Sequence, residues 1–429
     1  MFPKARVLLV ATTTGYQTRA FGEAAERLNL ELVFATDRCA VLDDPWRDSA
    51  IPVRFHEMAA SVEDIVAADA RQPFSAVIAV GDRPATLAAH ACEALGLAGH
   101  PSDGAEAARN KLVTRERLRQ AELPVPRFAA APVSSDSSTL AEQATFPAVL
   151  KPIALSGSRG VMRVNDVSQL EAALGRLRRL LARPDLRAQR DPAHQLVLLE
   201  SFIGGHEFAL EGLLTDGQLQ TLAIFDKPDP LDGPYFEETI YLTLEDLESD
   251  LAQRIRSNVA AAAVAIGLRH GPIHAECRVG DSGVFVLEVA ARPIGGICAR
   301  ALRLTSSTGA SVISLEELLL RHALGEDTTR WRRETAASGV MMIPIPRRGL
   351  YRGVTGAVEA RGVGGVDDVV ITAKPDQLLL PLPEGASYLG FIFARAATPD
   401  EVEAALRGAH GRLSFTVDPE LPVLQSTDG

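Results

Sequence analysis

Two apolar periods alternate along the first hundred positions of this chain. Residues 6–14, RVLLVATTT, begin as an unbroken apolar run and read as a buried strand. Residues 19–29 carry the helical period, and 31–37, ELVFATD, read as a second strand. A further apolar run at 76–81, AVIAVG, precedes an Ala-rich helix at 84–96. Strands alternating with helices predict a parallel α/β sheet. Its first turn carries a single glycine, Gly15, and no Gly-x-Gly-x-x-Gly. A dinucleotide site is therefore poorly supported, and a docking unit that shapes a substrate cleft fits better.

The pattern then changes. Residues 105–121 read as one helix, stopped by the two prolines of LPVPRF. A Ser-rich loop, PVSSDSST, and another helix lead to the apolar strand FPAVLKP. A long Arg/Leu helix precedes the strand QLVLLESFI. The segment EFALEGLLTDGQLQTLAIFDKP reads as a hairpin turning at Asp216–Gly217. Residues 229–238 are loop-like. Residues 246–268 place Leu247, Leu251, Ile255, Val259 and Ile266 on one helical stripe. IHAECRV and VFVLEVAAR read as a hairpin around GDSG, residues 340–395 as short strands with Gly and Pro turns, and 398–408 as a helix. The closing STDG is expected to lack structure. The expected division is 1–105, 106–199 and 200–429.

Composition narrows the function classes. Of 429 residues, 46% are hydrophobic and 23% charged, which is ordinary for a globular protein. The net charge of -11 and the lack of basic runs interleaved with aromatics argue against nucleic acid. Leucines recur at helical spacing through the Arg-rich stretch Arg176–Arg190, so it reads as a solvated helix face. The cysteines, Cys39, Cys92, Cys277 and Cys298, form no Cys-x-x-Cys pair, which disfavours a zinc site or a disulfide framework. The N-terminal apolar run is too short for a membrane span and lacks the signal-peptide pattern. A cytoplasmic protein without a membrane partner is expected. Only five of the 44 basic residues are lysines: Lys4, Lys111, Lys151, Lys227 and Lys374. Where arginine is the default cation, a lysine marks a place that wants a compact point charge.

The chemistry concentrates in a few charged residues within apolar runs. Ser156-Gly157-Ser158-Arg159-Gly160 follows the strand ending in Lys151. Small residues let backbone N–H groups approach phosphate oxygens, and the nearby lysine adds charge. No Gly-Lys-Ser/Thr occurs, so this is not a Walker A loop; an ordinary turn remains open. Lys111 lies forty residues earlier. Glu200 ends an apolar strand and Glu207 follows seven residues later. A buried carboxylate needs a partner, and an adenine amino group and a ribose hydroxyl are suitable ones. Glu276 and Glu288 sit on otherwise apolar strands, where a hairpin would set their carboxylates side by side. Such a pair repels unless a cation lies between, and magnesium, a hard ion that takes oxygen ligands, fits. Pairing with arginines such as Arg278 is the alternative. Arg292 adds a fixed cation four residues after Glu288.

The ordered set of Lys111, Lys151 with its glycine loop, Glu200, Glu207, Glu276, Glu288 and Arg292 resembles the ATP-grasp superfamily. The match runs from about residue 100 to residue 300, and the flanking parts resemble its biotin-carboxylase-like branch. The resemblance implies an α/β (α+β) fold: a Rossmann-like N-terminal domain, an ATP-grasp fold with a mobile lid subdomain, and a mixed C-terminal part. It implies that Lys111 and Lys151 hold the ATP phosphates and that Ser156, Gly157, Ser158 and Gly160 close over them. Glu200 with the backbone at Phe202 and Ile203 would bind adenine, and Glu207 the ribose. Glu276 and Glu288 would hold magnesium, with two ions expected and manganese a substitute. Arg292 would stabilise the transferred phosphoryl group, Lys227 would reach it, and His274 would face phosphate or substrate. For His274, a buried ring satisfied by a backbone carbonyl stays open.

One departure is informative. Many members carry Asn two residues after the second metal glutamate; here Ala290 cannot ligate. The run E-V-A-A-R is similar to the L-amino-acid ligases, which make dipeptides. The implied activity joins a carboxylate to an amine through an acyl phosphate, releasing ADP and phosphate. Its partners would be small molecules, amino acids above all. Gly295 and Gly296 would line the substrate pocket with room for a bulky side chain, and Glu237 in the acidic loop would receive a cationic amine. Relatives are often dimers, so a homodimer is compatible. Other ATP-grasp reactions, including carboxylation, and a non-catalytic nucleotide-binding regulator are the alternatives.

Overall fold

A computed structural model describes residues 4–12, 17–37, 50–306, 309 and 311–420. Gly15, Cys39 and the STDG terminus lie outside the described residues. The N-terminal part is a four-stranded parallel sheet in the order Ile51–Pro52, Glu31–Thr36, Arg6–Ala11, Ala76–Val80. Its middle strand is buried on both faces: Val7 and Leu9 pack into one core, Leu8 and Val10 into another. That is why Arg6–Ala11 reads as an apolar run rather than an alternation. The helices Thr18–Arg27, Met58–Arg71 and Asp82–Leu95 belong to this part; the second was missed by sequence reasoning.

An eight-stranded sheet forms the body, in the order Gly283–Ala290, Gly271–Gly280, His206–Thr215, Gln218–Asp226, Ile240–Thr243, Ala337–Ile343, Gly390–Ala396, Val366–Ile371. Every neighbouring pair is antiparallel. The turn at Asp216–Gly217 has positive φ at both residues (50° and 87°), as a two-residue hairpin of this twist requires. Helix Asp250–Ile266 covers one end of the sheet, capped by Ser249 and closed by Gly267 at φ 94°. Leu247 precedes the helix yet packs against the same core. A smaller sheet orders Phe128–Pro132, Leu196–Ser201, Ala148–Pro152, Met162–Val164, with helix Val167–Leu181 burying its leucine stripe against it.

The single helix expected at 105–121 is two helices, Ser102–Arg109 and Lys111–Gln120. Asn110 breaks the run with extended backbone, and its side chain accepts from the N–H groups of Leu112 (3.1 Å) and Val113 (3.2 Å). An asparagine cap inside an apolar-periodic stretch is enough to restart a helix. The divisions expected at 105/106 and 199/200 fall inside Ser102–Arg109 and Leu196–Ser201.

His100 ties the N-terminal part to the body. Its Nε2 bonds the Pro272 carbonyl (3.0 Å) and its Nδ1 accepts from the Arg269 N–H (3.3 Å). One nitrogen donates and the other accepts, so the ring is neutral, and burial holds its pKa down at about 4. Among the described residues, no helix is long and apolar enough to cross a membrane.

Candidate active site

The site is built on the hairpin Gly271–Gly280/Gly283–Ala290, whose register sets Glu276 opposite Glu288. A bulge follows at once. Cys277 pairs with Val286, which leaves Leu287 as an extra residue. Val284, Val286 and Val289 lie in the core under helix Asp250–Ile266, whereas Leu287 and Glu288 line a cleft. Strict alternation would put Glu288 on the face of Val286; the bulge turns it to the cleft. The two acids have different cationic neighbours. Glu276 lies 3.1 Å from the Lys227 ammonium and Glu288 lies 3.1 Å from that of Lys111.

Lys111 is the first residue of the helix that Asn110 caps, and its Nζ also donates to the Leu155 carbonyl (2.8 Å). Lys151, in Ala148–Pro152, lies 2.6 Å from Glu200 in the adjacent strand. The Glu200 carboxylate, for which a nucleotide partner is expected, also has Lys151 and Arg115 as partners within the chain. Arg115 is fully buried one helical turn after Lys111. It donates to Glu200 (2.7 and 3.4 Å) and to the carbonyls of Val286 (3.3 Å) and Leu287 (2.9 Å) at the bulge. Burial works to raise the Glu200 pKa, but Arg115 and Lys151 bring it below the usual range. Burial in turn lowers Lys151 to about 8, against the pull of Glu200.

Glu207 is held by Arg278 (2.9 Å) and Lys227 (2.9 Å). Arg278 thus pairs with Glu207 and not with the hairpin acids. It also donates to the Ile203 carbonyl (2.9 Å) and lies 5.1 Å from the Phe202 ring centre. The Phe202 N–H donates to the Pro147 carbonyl (2.8 Å). Carboxylate oxygens of Glu207, Glu238 and Glu276 lie within 4.8 Å of one another. The Lys227 ammonium bonds all three. Burial opposes its charge, but the three acids outweigh burial and raise its pKa well above the usual value. Glu238 is pushed up to about 8 by burial and then by Glu276. Glu276 is carried well below its usual value by Lys227 and His274, against burial.

His274 satisfies Nδ1 on the Glu211 carboxylate (3.1 Å), not on a backbone carbonyl, and its Nε2 lies 3.9 Å from Glu276. Burial lowers its pKa, but these two acids prevail and raise it to about 9. The fully buried Glu211 also accepts from the Ile294 N–H (3.1 Å), which fixes the chain just after Arg292. Ala290 lies opposite His274 in the register. Arg292 donates from Nε to Asp82 (2.5 Å), the first residue of helix Asp82–Leu95.

These groups surround one cleft of about 340 Å³. Lys111, Lys151, Ser156, Gly157 and Ser158 line it, as do Glu200, Phe202, Ile203 and Glu207. So do His274, Glu276, Glu288, Arg292, Gly295 and Gly296. Three expected site residues are not in the wall. Lys227 lies behind it within its three acids. Gly160 sits under the loop, where an added Cβ would come within 3.0 Å of Leu177 and Leu180. Glu237 is displaced by its neighbour: Glu238 lines the cleft and Glu237 does not.

Residues 144–301 match the ATP-grasp domain family, and residues 341–418 match L-amino acid ligase C-terminal domain 2. Residues 144–301 thus form an ATP-grasp domain. An L-amino acid ligase from Bacillus licheniformis is similar in structure, with a TM-score of 0.77 at 26% identity, covering 97% of this chain and 100% of that one. Dapdiamide A synthase of Enterobacter agglomerans is 29% identical over 37% of this chain. Alanine–anticapsin ligase of Bacillus subtilis is 25% identical over 44% of it. The matched stretches span 35% and 42% of those two proteins' own lengths.

Sequence reasoning missed Glu238 in the wall of the ATP-grasp cleft, and Asp82, Arg115 and Glu211, which hold the wall residues Arg292, Glu200 and His274. A faint signal existed for Arg115, which shares a helical face with Lys111 at i+4. Glu211 lay in an apolar strand as Glu276 and Glu288 did. Asp82 had no local signal, since its partner Arg292 is 210 residues away.

Proposed function

We propose that the protein is an ATP-dependent carboxylate–amine ligase that joins two amino acids. The observation that carries this reading is convergence. Lys111, Lys151, Glu276, Glu288 and Arg292, from well-separated segments, line one cleft in a chain matched to the ATP-grasp and L-amino acid ligase families.

In this reading Lys111 and Lys151 bind the phosphates of ATP, and the loop 156–160 covers them. Phe202 and Ile203 border the adenine, with Glu200, in the same wall, holding Lys151 in place. Glu276 and Glu288 fit a magnesium site: both offer only oxygen donors, they oppose one another across the hairpin, and Glu276 is held ionised. Magnesium there, or manganese in its place, would neutralise phosphate charge. Ala290 supplies no donor to a second ion. Arg292, oriented by Asp82, faces the charge that develops when the substrate carboxylate takes the γ-phosphoryl group. His274 adds a second fixed positive charge, oriented by Glu211. Lys227 keeps Glu207, Glu238 and Glu276 from repelling one another. Closure of the glycine loop keeps the acyl phosphate from water until the amine displaces phosphate.

The substrates follow from the remaining wall. Ile294, Cys298, Met342, Tyr388 and Phe391 make it apolar. An added Cβ at Gly295 would meet nothing within 4 Å, and one at Gly296 would reach the Phe391 ring at 3.2 Å. Glycine at both positions keeps this wall open, which suits a bulky apolar side chain on the carboxylate donor. Glu238, in place of Glu237, receives the ammonium group.

The test is ADP and phosphate release with Mg-ATP and amino acids singly and in pairs, with products weighed by mass spectrometry. A dipeptide carrying a bulky apolar N-terminal residue is expected. Glu288→Gln should lower turnover by roughly 10² or more, as expected on losing an electrostatic contact to the reacting phosphate. Phosphate release that needs no amino acid, or full activity in Glu288→Gln, would overturn the reading.

A further inference from the structure

The loop 380–388 lies between strand Leu378–Leu379 and strand Gly390–Ala396 and reaches two parts of the cleft. On one side it grips the glycine loop. The Gly160 N–H donates to the Pro383 carbonyl (2.8 Å), and Arg159 donates to the Glu384 carbonyl (2.9 Å). Arg176, on helix Val167–Leu181, grasps the Glu384 carboxylate with Nη2 (2.8 Å) and with Nε, and its Nη1 bonds the Tyr235 hydroxyl. On the other side, Ala386, Ser387 and Tyr388 line the cleft. Tyr388 packs on Phe391, the ring that borders Gly296.

The connection between the two sides is short and stiff. Gly385 donates to the Pro381 carbonyl (2.9 Å), and a Cβ there would stand 1.8 Å from the Leu380 carbonyl oxygen. The Leu389 N–H is bonded to Ile343 in the eight-stranded sheet (2.9 Å). A shift of Tyr388 on one side is therefore carried to Glu384 on the other, because packed segments move as units and do not stretch.

We propose that Arg176 and Glu384 are positioning residues that couple amino-acid occupancy of the cleft to closure of the glycine loop over ATP. The proposal rests on the ligase reading. An apolar side chain against Tyr388 and Phe391 settles the loop, Glu384 holds Arg176, and the 156–160 segment closes. Phosphoryl transfer is thereby confined to the loaded cleft. With the latch cut, water competes. Its oxygen takes the γ-phosphoryl group, the bond to the β-phosphate oxygen breaks, and ADP, phosphate and a proton leave without an amide.

The experiment compares wild type, Glu384→Gln, Arg176→Gln and the exchanged pair Arg176→Glu/Glu384→Arg in the full chain. Both side chains are partly exposed (35% and 27%), and the exchanged pair controls for a loss of fold. The readouts are phosphate released per dipeptide formed, and amide hydrogen exchange of residues 156–160 with Mg-ADP, with and without the amino acids. Wild type should give a ratio near one and gain protection when amino acids are added. Each single variant should raise the ratio roughly tenfold, the equilibrium shift that one charge-assisted hydrogen bond supports, and lose the added protection. The exchanged pair should restore both. Ligation at an unchanged ratio, with amino-acid-dependent protection intact in Glu384→Gln, overturns the latch alone. A wild type that ligates no pair overturns the ligase reading, and the latch with it.

Discussion

Arg115 illustrates how a single residue can organise a site without facing the ligand. It is fully buried, pairs with Glu200 and also holds two carbonyls at the bulge. Replacing it with methionine keeps the volume but leaves Glu200 buried with only Lys151. Breaking a buried pair from one side costs about 3–5 kcal/mol, so Arg115→Met should lose stability of that order, read by urea unfolding at pH 7. A loss under 1 kcal/mol would mean that Lys151 alone suffices. Residues of this kind are hard to read from sequence. Lys111, Lys151, Glu276 and Glu288 stood out as charges at the edges or centres of apolar runs. Arg115 sits in KLVTRERLRQ, where five of the ten residues are charged, and nothing local says which of them is inside.

Among the elements, those with strong local signals were readable and those set by long-range pairing were not. The hairpin at Asp216–Gly217 and the helix Asp250–Ile266 carry turn, cap and stripe in sequence. The break at Asn110 was hidden because one residue's cap competed with an otherwise continuous helical period. The bulge at Leu287 was invisible because register belongs to two strands at once. The junction at His100 was equally silent, yet it has a measurable consequence. Its pKa is about 4 in the folded protein, against the ordinary value of 6.5. The unfolded chain therefore binds the proton first. The stabilisation is complete above pH 6.5 and is lost as pH falls toward 4. At 1.36 kcal/mol per unit, this amounts to about 3 kcal/mol. Chemical unfolding at pH 7 and pH 4.5 should reveal the loss, and His100→Gln should flatten it; an equal pH dependence in that variant would remove His100 as the cause.

Across the whole molecule, the cleft draws on parts of the chain that fold as different sheets. The small sheet contributes Lys151 and Glu200, the large sheet Glu276, Glu288 and Phe391, and the N-terminal part supplies Asp82, which holds Arg292 from behind the wall. The overall class of fold was readable because period and motif order survive in one sequence. The assembly was not, since Asp82 and Arg292 pair across 210 residues of sequence. Asp82→Asn keeps a hydrogen-bonding group of the same shape but removes the charge that orients Arg292. Turnover should fall roughly 10–100-fold, as for other partners that aim a charged ligand-facing group, while the Michaelis constant for ATP changes little. A matched rise in that constant would instead place Asp82 in nucleotide binding.

Counted as length, the bulge at Leu287 is one surplus residue. Remove it, and plain alternation would still send Val286 and Val289 inward and Glu288 outward. The strand does not need Leu287 to close its core. What the insertion adds is a side chain in the cleft wall and a carbonyl for Arg115. The insertion is confined to a single pair of strands, because the partner Gly271–Gly280 keeps an unbroken register with His206–Thr215 on its other side. The scaffold thus absorbs a surplus residue in the cleft wall without shifting the register of the sheet beyond that pair of strands.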